Sequence, residues 1–183
     1  MKPVLMIHEV GEALFNLPLE DYILTFDDGL YSQYYYWPQI KNINTDKYFF
    51  VSSNIYCKDG RQNLNFPTCE EAHAKARTGN FEDYMTIEQL KELAFDPSVT
   101  VGGHGHDHID LSNIQGLQKK IDVIISDTEA MMYWFKLNLG YYPHAFCFPY
   151  NNDADKVYTS ILKKRGFTEL FGGERNNPGT SAR

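Results

Sequence analysis

Residues 22–29 read Tyr-Ile-Leu-Thr-Phe-Asp-Asp-Gly. The apolar run Tyr22-Ile23-Leu24 predicts a buried strand, which puts Asp27 and Asp28 at its C-terminal end. Adjacent carboxylates at such an edge resist being ionised together unless a cation or strong hydrogen-bond donors hold one of them. Asp-Asp-Gly is also an ordinary turn sequence, so this stretch alone leaves turn and metal site evenly matched. A second cluster changes the balance. Val99-Thr100-Val101-Gly102-Gly103 predicts another strand, and it runs into His104-Gly105-His106-Asp107-His108. Histidine is the commonest metal-ligating side chain, and imidazoles with one carboxylate form a three-ligand zinc site that keeps a fourth position open.

His104 and His108 are four apart, so a helical turn directly after the strand would set both side chains on one face. His106 would then point elsewhere, as a solvated or supporting residue. Asp107 is open to two readings, a carboxylate that orients a ligand histidine and a surface group.

The rest of the chain alternates strands and helices, which predicts an α/β domain with a mainly parallel sheet. The predicted strands are 4–7, 22–26, 47–52, 100–103, 145–148 and 169–171. A helix is expected over 30–42 with Pro38 interrupting it. Thr86 and Gln89 form a capping box for a helix through Phe95. Two more helices cover 114–139 and 154–165, the latter closed by Gly166. Residues 56–83 are polar and mixed, and are expected to be an inserted loop with a short helix, placed to shape a groove. In open parallel α/β sheets ligand sites lie at the strands' C-terminal ends, where this layout gathers Asp27, Asp28, His104 and His108.

These motifs resemble those of the polysaccharide deacetylases, the NodB-homology domain or carbohydrate esterase family four. Thr25 to Gly29 match the family's T-F-D-D-G at all five positions, and His104 and His108 match the ligand positions of H-[ST]-x-x-H, with Gly105 in place of Ser or Thr. Leu111 fits the apolar residue three positions after the second histidine. Phe146-Cys147-Phe148-Pro149-Tyr150-Asn151 is similar to the strand-end R-x-x-P-Y-G motif, with Cys147 near the usual arginine and Asn151 for glycine, a change suited to a left-handed turn. The resemblance spans about residues 3–171. It implies a distorted (β/α) barrel of seven strands; six are counted here, so the barrel is expected to be incomplete at its C-terminal end. The resemblance further implies that Asp28, His104 and His108 hold a divalent cation, zinc by first choice, that Asp27 is the general base, and that the Tyr150 N–H helps stabilise an oxyanion. Two family features have no obvious heir: the arginine that orients the catalytic Asp, and a late L-x-H histidine that acts as acid. No histidine follows His144. Either the last strand lies outside this sequence, the tail 172–183 being a loop leading onward, or another donor serves. Asp27 could return its proton, or His8 could give one from the end of the first strand.

The activity implied is metal-dependent removal of N-acetyl or O-acetyl groups from a carbohydrate, such as a surface-polysaccharide intermediate. Two rivals stand beside it. His104 to His108 is similar to the H-x-H-x-D-H motif of the metallo-β-lactamases, a two-metal reading whose register fails by one residue. A carbohydrate-binding descendant without catalysis is the other, motivated by Gly105, Cys147 and the missing acid.

Composition narrows the partners. The chain has 183 residues, 17 Lys and Arg against 24 Asp and Glu, and a formal charge of −7. That length fits a single domain over 1–183 with a substantial core. The cations form no dense block, which argues against nucleic acid as a partner. The 13 Tyr and 12 Phe suit core packing and sugar stacking alike. Cys57, Cys69 and Cys147 lack metal-type spacing and cannot all pair, so a reducing compartment is expected. No run reaches the roughly 20 apolar residues of a spanning helix, and Met1 to Val10 lacks a signal-peptide core; if the start is native, the protein is expected to be cytoplasmic.

Overall fold

The structure, a computed structural model, describes residues 2–177. Six parallel strands run in sequence order: β1 (Val4–Ile7), β2 (Ile23–Phe26), β3 (Lys47–Val51), β4 (Thr100–Gly103), β5 (Ala145–Cys147) and β6 (Glu169–Phe171). Helices occupy the crossovers: α1 (Tyr31–Tyr35), α2 (Trp37–Ile40), α3 (Cys69–Ala76), α4 (Ile87–Phe95), α5 (Leu117–Asn138) and α6 (Val157–Lys164). The sheet curls into a half-barrel. Its β1 edge is met by the segment after β6, where Met6 N–H donates to Asn176 O at 2.7 Å and Asn176 N–H donates to Val4 O at 2.8 Å. The expected loop over 172–183 lies in part outside the described residues.

Alternation along the strands sorts the two faces. Leu24, Phe26, Phe49, Val51, Val101 and Phe146 join the large core under the helices. Tyr48, Phe50, Ala145, Cys147 and Phe171 form a separate cluster. In parallel ladders paired residues point the same way, so Thr25, partnered with Tyr48, lies on the face of that second cluster, as does Asp27 two residues on. Gly102 is required here, because a Cβ would stand 2.7 Å from Ala145 O and 2.8 Å from the Phe50 ring.

The expected strands differ from these by at most a residue at either end. The helix expected over 30–42 is two short helices, and Pro38 lies in the first turn of α2 rather than breaking it, where a missing N–H costs nothing. Both Thr86–Gln89 and an unforeseen Thr68–Glu71 pair make complete capping boxes. The last helix begins at Val157, three residues later than expected, because Ala154, Asp155 and Lys156 all take positive φ (49°, 55° and 75°). No described helix is long and apolar enough to cross a membrane.

Candidate metal centre and catalytic cleft

The C-terminal ends of the strands surround a small cleft of ≈ 120 Å³, with His8, Asp27, Asp28, His73, His108 and Arg175 among its walls. β1 delivers His8, β2 delivers Asp27 and Asp28, and β4 with its following loop delivers His104 and His108. Tyr150 stands just after β5 at the rim, its ring against that of His108 at 4.8 Å.

His104 and His108 do meet, but by a different route from the helical turn that their spacing suggests. The loop turns sharply at Gly105 (φ 78°) and His108 (φ 51°), with no helix there. Asp127 of α5 holds this loop by accepting the N–H groups of His106 at 2.8 Å and Asp107 at 2.9 Å. The substitution of Gly105 for a hydroxyl residue then has a physical reason, since a Cβ there would come within 2.9 Å of Asp127 Oδ2. His106 points away, its Nδ1 2.7 Å from Ser53 Oγ, and Asp107 accepts from Asn54 at 2.7 Å rather than from a ligand histidine.

Asp28, whose φ of 73° turns it away from Asp27, places Oδ1 3.3 Å from His104 Nε2 and 3.3 Å from His108 Nε2. Those two nitrogens are 3.2 Å apart. An ion about 2.0–2.1 Å from each of three tetrahedral ligand atoms sets those atoms about 3.3–3.4 Å from one another. Asp28 Oδ1 is buried and makes no hydrogen bond to any described residue, although the two imidazole nitrogens are within hydrogen-bond distance of each other. His104 Nδ1 lies 2.8 Å from the Cys147 carbonyl oxygen. A carbonyl only accepts, so this nitrogen carries the proton, and Nε2 is the nitrogen that presents a lone pair when the ring is neutral. The residues present therefore fit a divalent cation.

The electrostatics agree. Burial opposes the charge on Asp28, but the imidazoles of His104, His108 and His73 outweigh it and hold the carboxyl well below its usual range. Burial would likewise discharge His104, yet Asp28 and Asp27 raise its pKa, the attraction that a cation between them would share. His108 moves down, through burial and the neighbouring His104 and His73 rings, against the pull of Asp28.

Asp27 belongs to a second network. Arg175 Nη1 is 2.8 Å from both of its carboxylate oxygens and 3.0 Å from Thr25 Oγ1, while Nη2 donates to Asn151 Oδ1 at 2.9 Å and Nε to Gly172 O at 3.0 Å. Both side chains are almost wholly buried. The Cys147 thiol, buried and pushed far up in pKa by that burial and by Asp27, lies 3.4 Å from Asp27 Oδ2. Asn151 takes the left-handed conformation (φ 54°) that its place in the third motif requires.

Three residues here escaped the sequence reading: Arg175, His73 and Cys69. Arg175 lies two residues past the Gly172-Gly173 pair in a tail without periodicity, so nothing marks it. Cys69 and His73 carry a signal in retrospect, being four apart directly behind the capping residue Thr68. His8 Nε2 lies 4.0 Å from Asp28 Oδ2, which places it in the cleft.

No protein-family model matches the chain, and no curated protein matches it. Solved structures do. IcaB from Ammonifex degensii is 22% identical over 93% of this chain and 82% of that one, with a TM-score of 0.66. A de-N-acetylase from Aggregatibacter actinomycetemcomitans is 18% identical over 95% and 75%, with a TM-score of 0.61. The polysaccharide deacetylase BC0361 from Bacillus cereus is 15% identical over 92% and 56%, with a TM-score of 0.59. The chain thus has the fold of the polysaccharide deacetylases.

Proposed function

We propose that this chain is a metal-dependent deacetylase that removes N-acetyl, or O-acetyl, groups from a carbohydrate. The observation that carries the reading is the triangle of Asp28 Oδ1, His104 Nε2 and His108 Nε2, with edges of 3.2–3.3 Å, beside a carboxylate on Asp27 that takes no part in it.

Asp28, His104 and His108 would hold the cation, zinc by first choice from this donor set. When bound, it supplies positive charge that polarises an acetyl carbonyl and acidifies a water. Asp27 takes the proton of the attacking water. Arg175, touching both Asp27 oxygens, fixes that carboxylate's direction and so fills the part for which no arginine stands in the third motif. The Tyr150 N–H donates to the oxyanion, a contribution of about 2.7–4 kcal/mol for one such donor. His8, about 30% exposed in its side chain with Nε2 toward the cleft, gives a proton to the departing amine and regains it from solvent. Its position favours it over a proton returned by Asp27.

The rivals lose their motives. A metallo-β-lactamase arrangement needs His106, whose ring is turned to Ser53. The non-catalytic reading rested on gaps that Asp127, Arg175 and His8 fill. Elemental analysis after dialysis tests the ligand assignment. Asp28→Ala, His104→Ala and His108→Ala should each lose the metal and His106→Ala should keep it; loss in the His106 variant with retention in the His108 variant would overturn it.

A further inference from the structure

The inserted segment between β3 and β4 brings to this centre a histidine that neither metal motif contains. His73 stacks on His108, with ring centroids 4.5 Å apart and planes 24° from parallel. Its Nε2 lies 3.3 Å from Asp28 Oδ2, and one potential ligand atom from each of His73, Asp28 and His108 falls within 4.8 Å of the others. Yet His73 Nε2, a buried atom, makes no hydrogen bond to any described residue. Its approach to Asp28 has the distance of an interaction without the alignment of a hydrogen bond. Leaving a buried polar atom unpaired is costly, and the two that face this cleft, His73 Nε2 and Asp28 Oδ1, face it together.

The surroundings of His73 suit a ligand. Its other nitrogen, Nδ1, is 3.4 Å from the hydroxyl of the buried Tyr84; an oxygen there can accept the Nδ1 proton and leave Nε2 bare. One turn earlier on α3 the Cys69 thiol donates to Asp28 Oδ2 at 3.0 Å. Cys69 thereby occupies Oδ2 and leaves Oδ1 for the cation. The Thr68–Glu71 capping box fixes the start of α3 and with it the direction of both side chains.

We propose that His73 is a fourth protein ligand, which makes the centre one carboxylate and three imidazoles. The proposal rests on the metal reading above and deepens it. Four protein ligands leave room for water or substrate only on an ion that accepts five or six donors. The centre is therefore suited to cobalt, nickel or ferrous iron, or to zinc that expands beyond four.

The test is X-ray absorption at the cobalt edge of the chain loaded with one equivalent of Co2+. Three imidazoles are expected in the wild type and two in His73→Gln, whose fold is checked by circular dichroism. Affinity alone would not decide, because a merely supporting residue also costs about 10–100-fold on removal. Two imidazoles in the wild type would overturn the proposal while leaving the three-ligand centre intact, and that count depends on no variant folding. Failure of the wild type to bind Co2+ at all would overturn the proposal together with the reading it rests on. Three imidazoles in a protein that releases no acetate would support the ligand set and count against deacetylation alone.

Discussion

Gly105 shows how a single residue can look like a loss in sequence and be a requirement in structure. A hydroxyl is missing from the second motif, but the loop is stiffened from outside by the Asp127 carboxylate, which sits where a side chain at 105 would go. Gly105→Ala must adopt a left-handed backbone, costing about 1–2 kcal/mol, besides displacing Asp127. Thermal unfolding should show a Tm lower by about 2–4 °C for each kcal/mol in a chain of this size; an unchanged Tm would contradict the account. Arg175 gives a second prediction at this scale. Breaking a buried ion pair from one side costs about 3–5 kcal/mol, so Arg175→Met should be severely destabilised in urea titration. Adding Asp27→Asn should recover part of the loss, because no unpaired charge then remains. Strictly additive losses would mean that the pair is not coupled.

Among the elements, what sequence revealed follows periodicity and caps. β1, β4 and β6 have the expected bounds, the first two because apolar or β-branched runs end at His8 and His104 and the third because Gly172-Gly173 follows it, and the Thr86–Gln89 box placed α4 correctly. The start of α6 was misread because three successive positive-φ residues that are not glycine leave no trace in composition. The inserted α3 was foreseen only as a short helix in a loop, so its two cleft-facing residues stayed hidden. The end of α4 offers a pH test. Asp96 accepts from Lys41 at 2.6 Å and from the Ser98 hydroxyl at 2.7 Å and N–H at 3.0 Å. Lys41 first, then Ser98, pull its pKa down to about 2, below the roughly 3.9 of an unfolded chain. Its contribution is therefore fully present above about pH 4 and is lost as pH falls through about 2. The stability gap between wild type and Asp96→Asn, measured by denaturant titration, should close over that window; solvent exposure of Lys41 keeps the gap small. A gap that widens toward low pH would refute the sign.

For the whole molecule, the strand alternation and five of the cleft residues were legible because each follows a recognisable strand. What was not legible is closure. The first strand lies at one edge of the half-barrel, and the segment after the last strand returns to it. Residues from the two ends of the described chain, His8 and Arg175, thereby share one cleft, and no local pattern records a contact between positions so far apart. His8, already a candidate acid in the sequence, reaches the cleft through the pairing of β1 with β2. His8→Ala should lower kcat by about 10²–10⁴ and move or remove the basic limb of the pH–rate profile. A modest change with the limb in place would return the role to Asp27.

The central claim, deacetylation with Asp27 as base, is tested most directly by acetate release from N-acetylated glucosamine oligomers, comparing metal-loaded wild type with metal-loaded Asp27→Asn. The account predicts acetate from the wild type, and release at least about 10²-fold slower from the variant at equal metal content. Equal rates, or no acetate from a wild type that holds its metal, would contradict it.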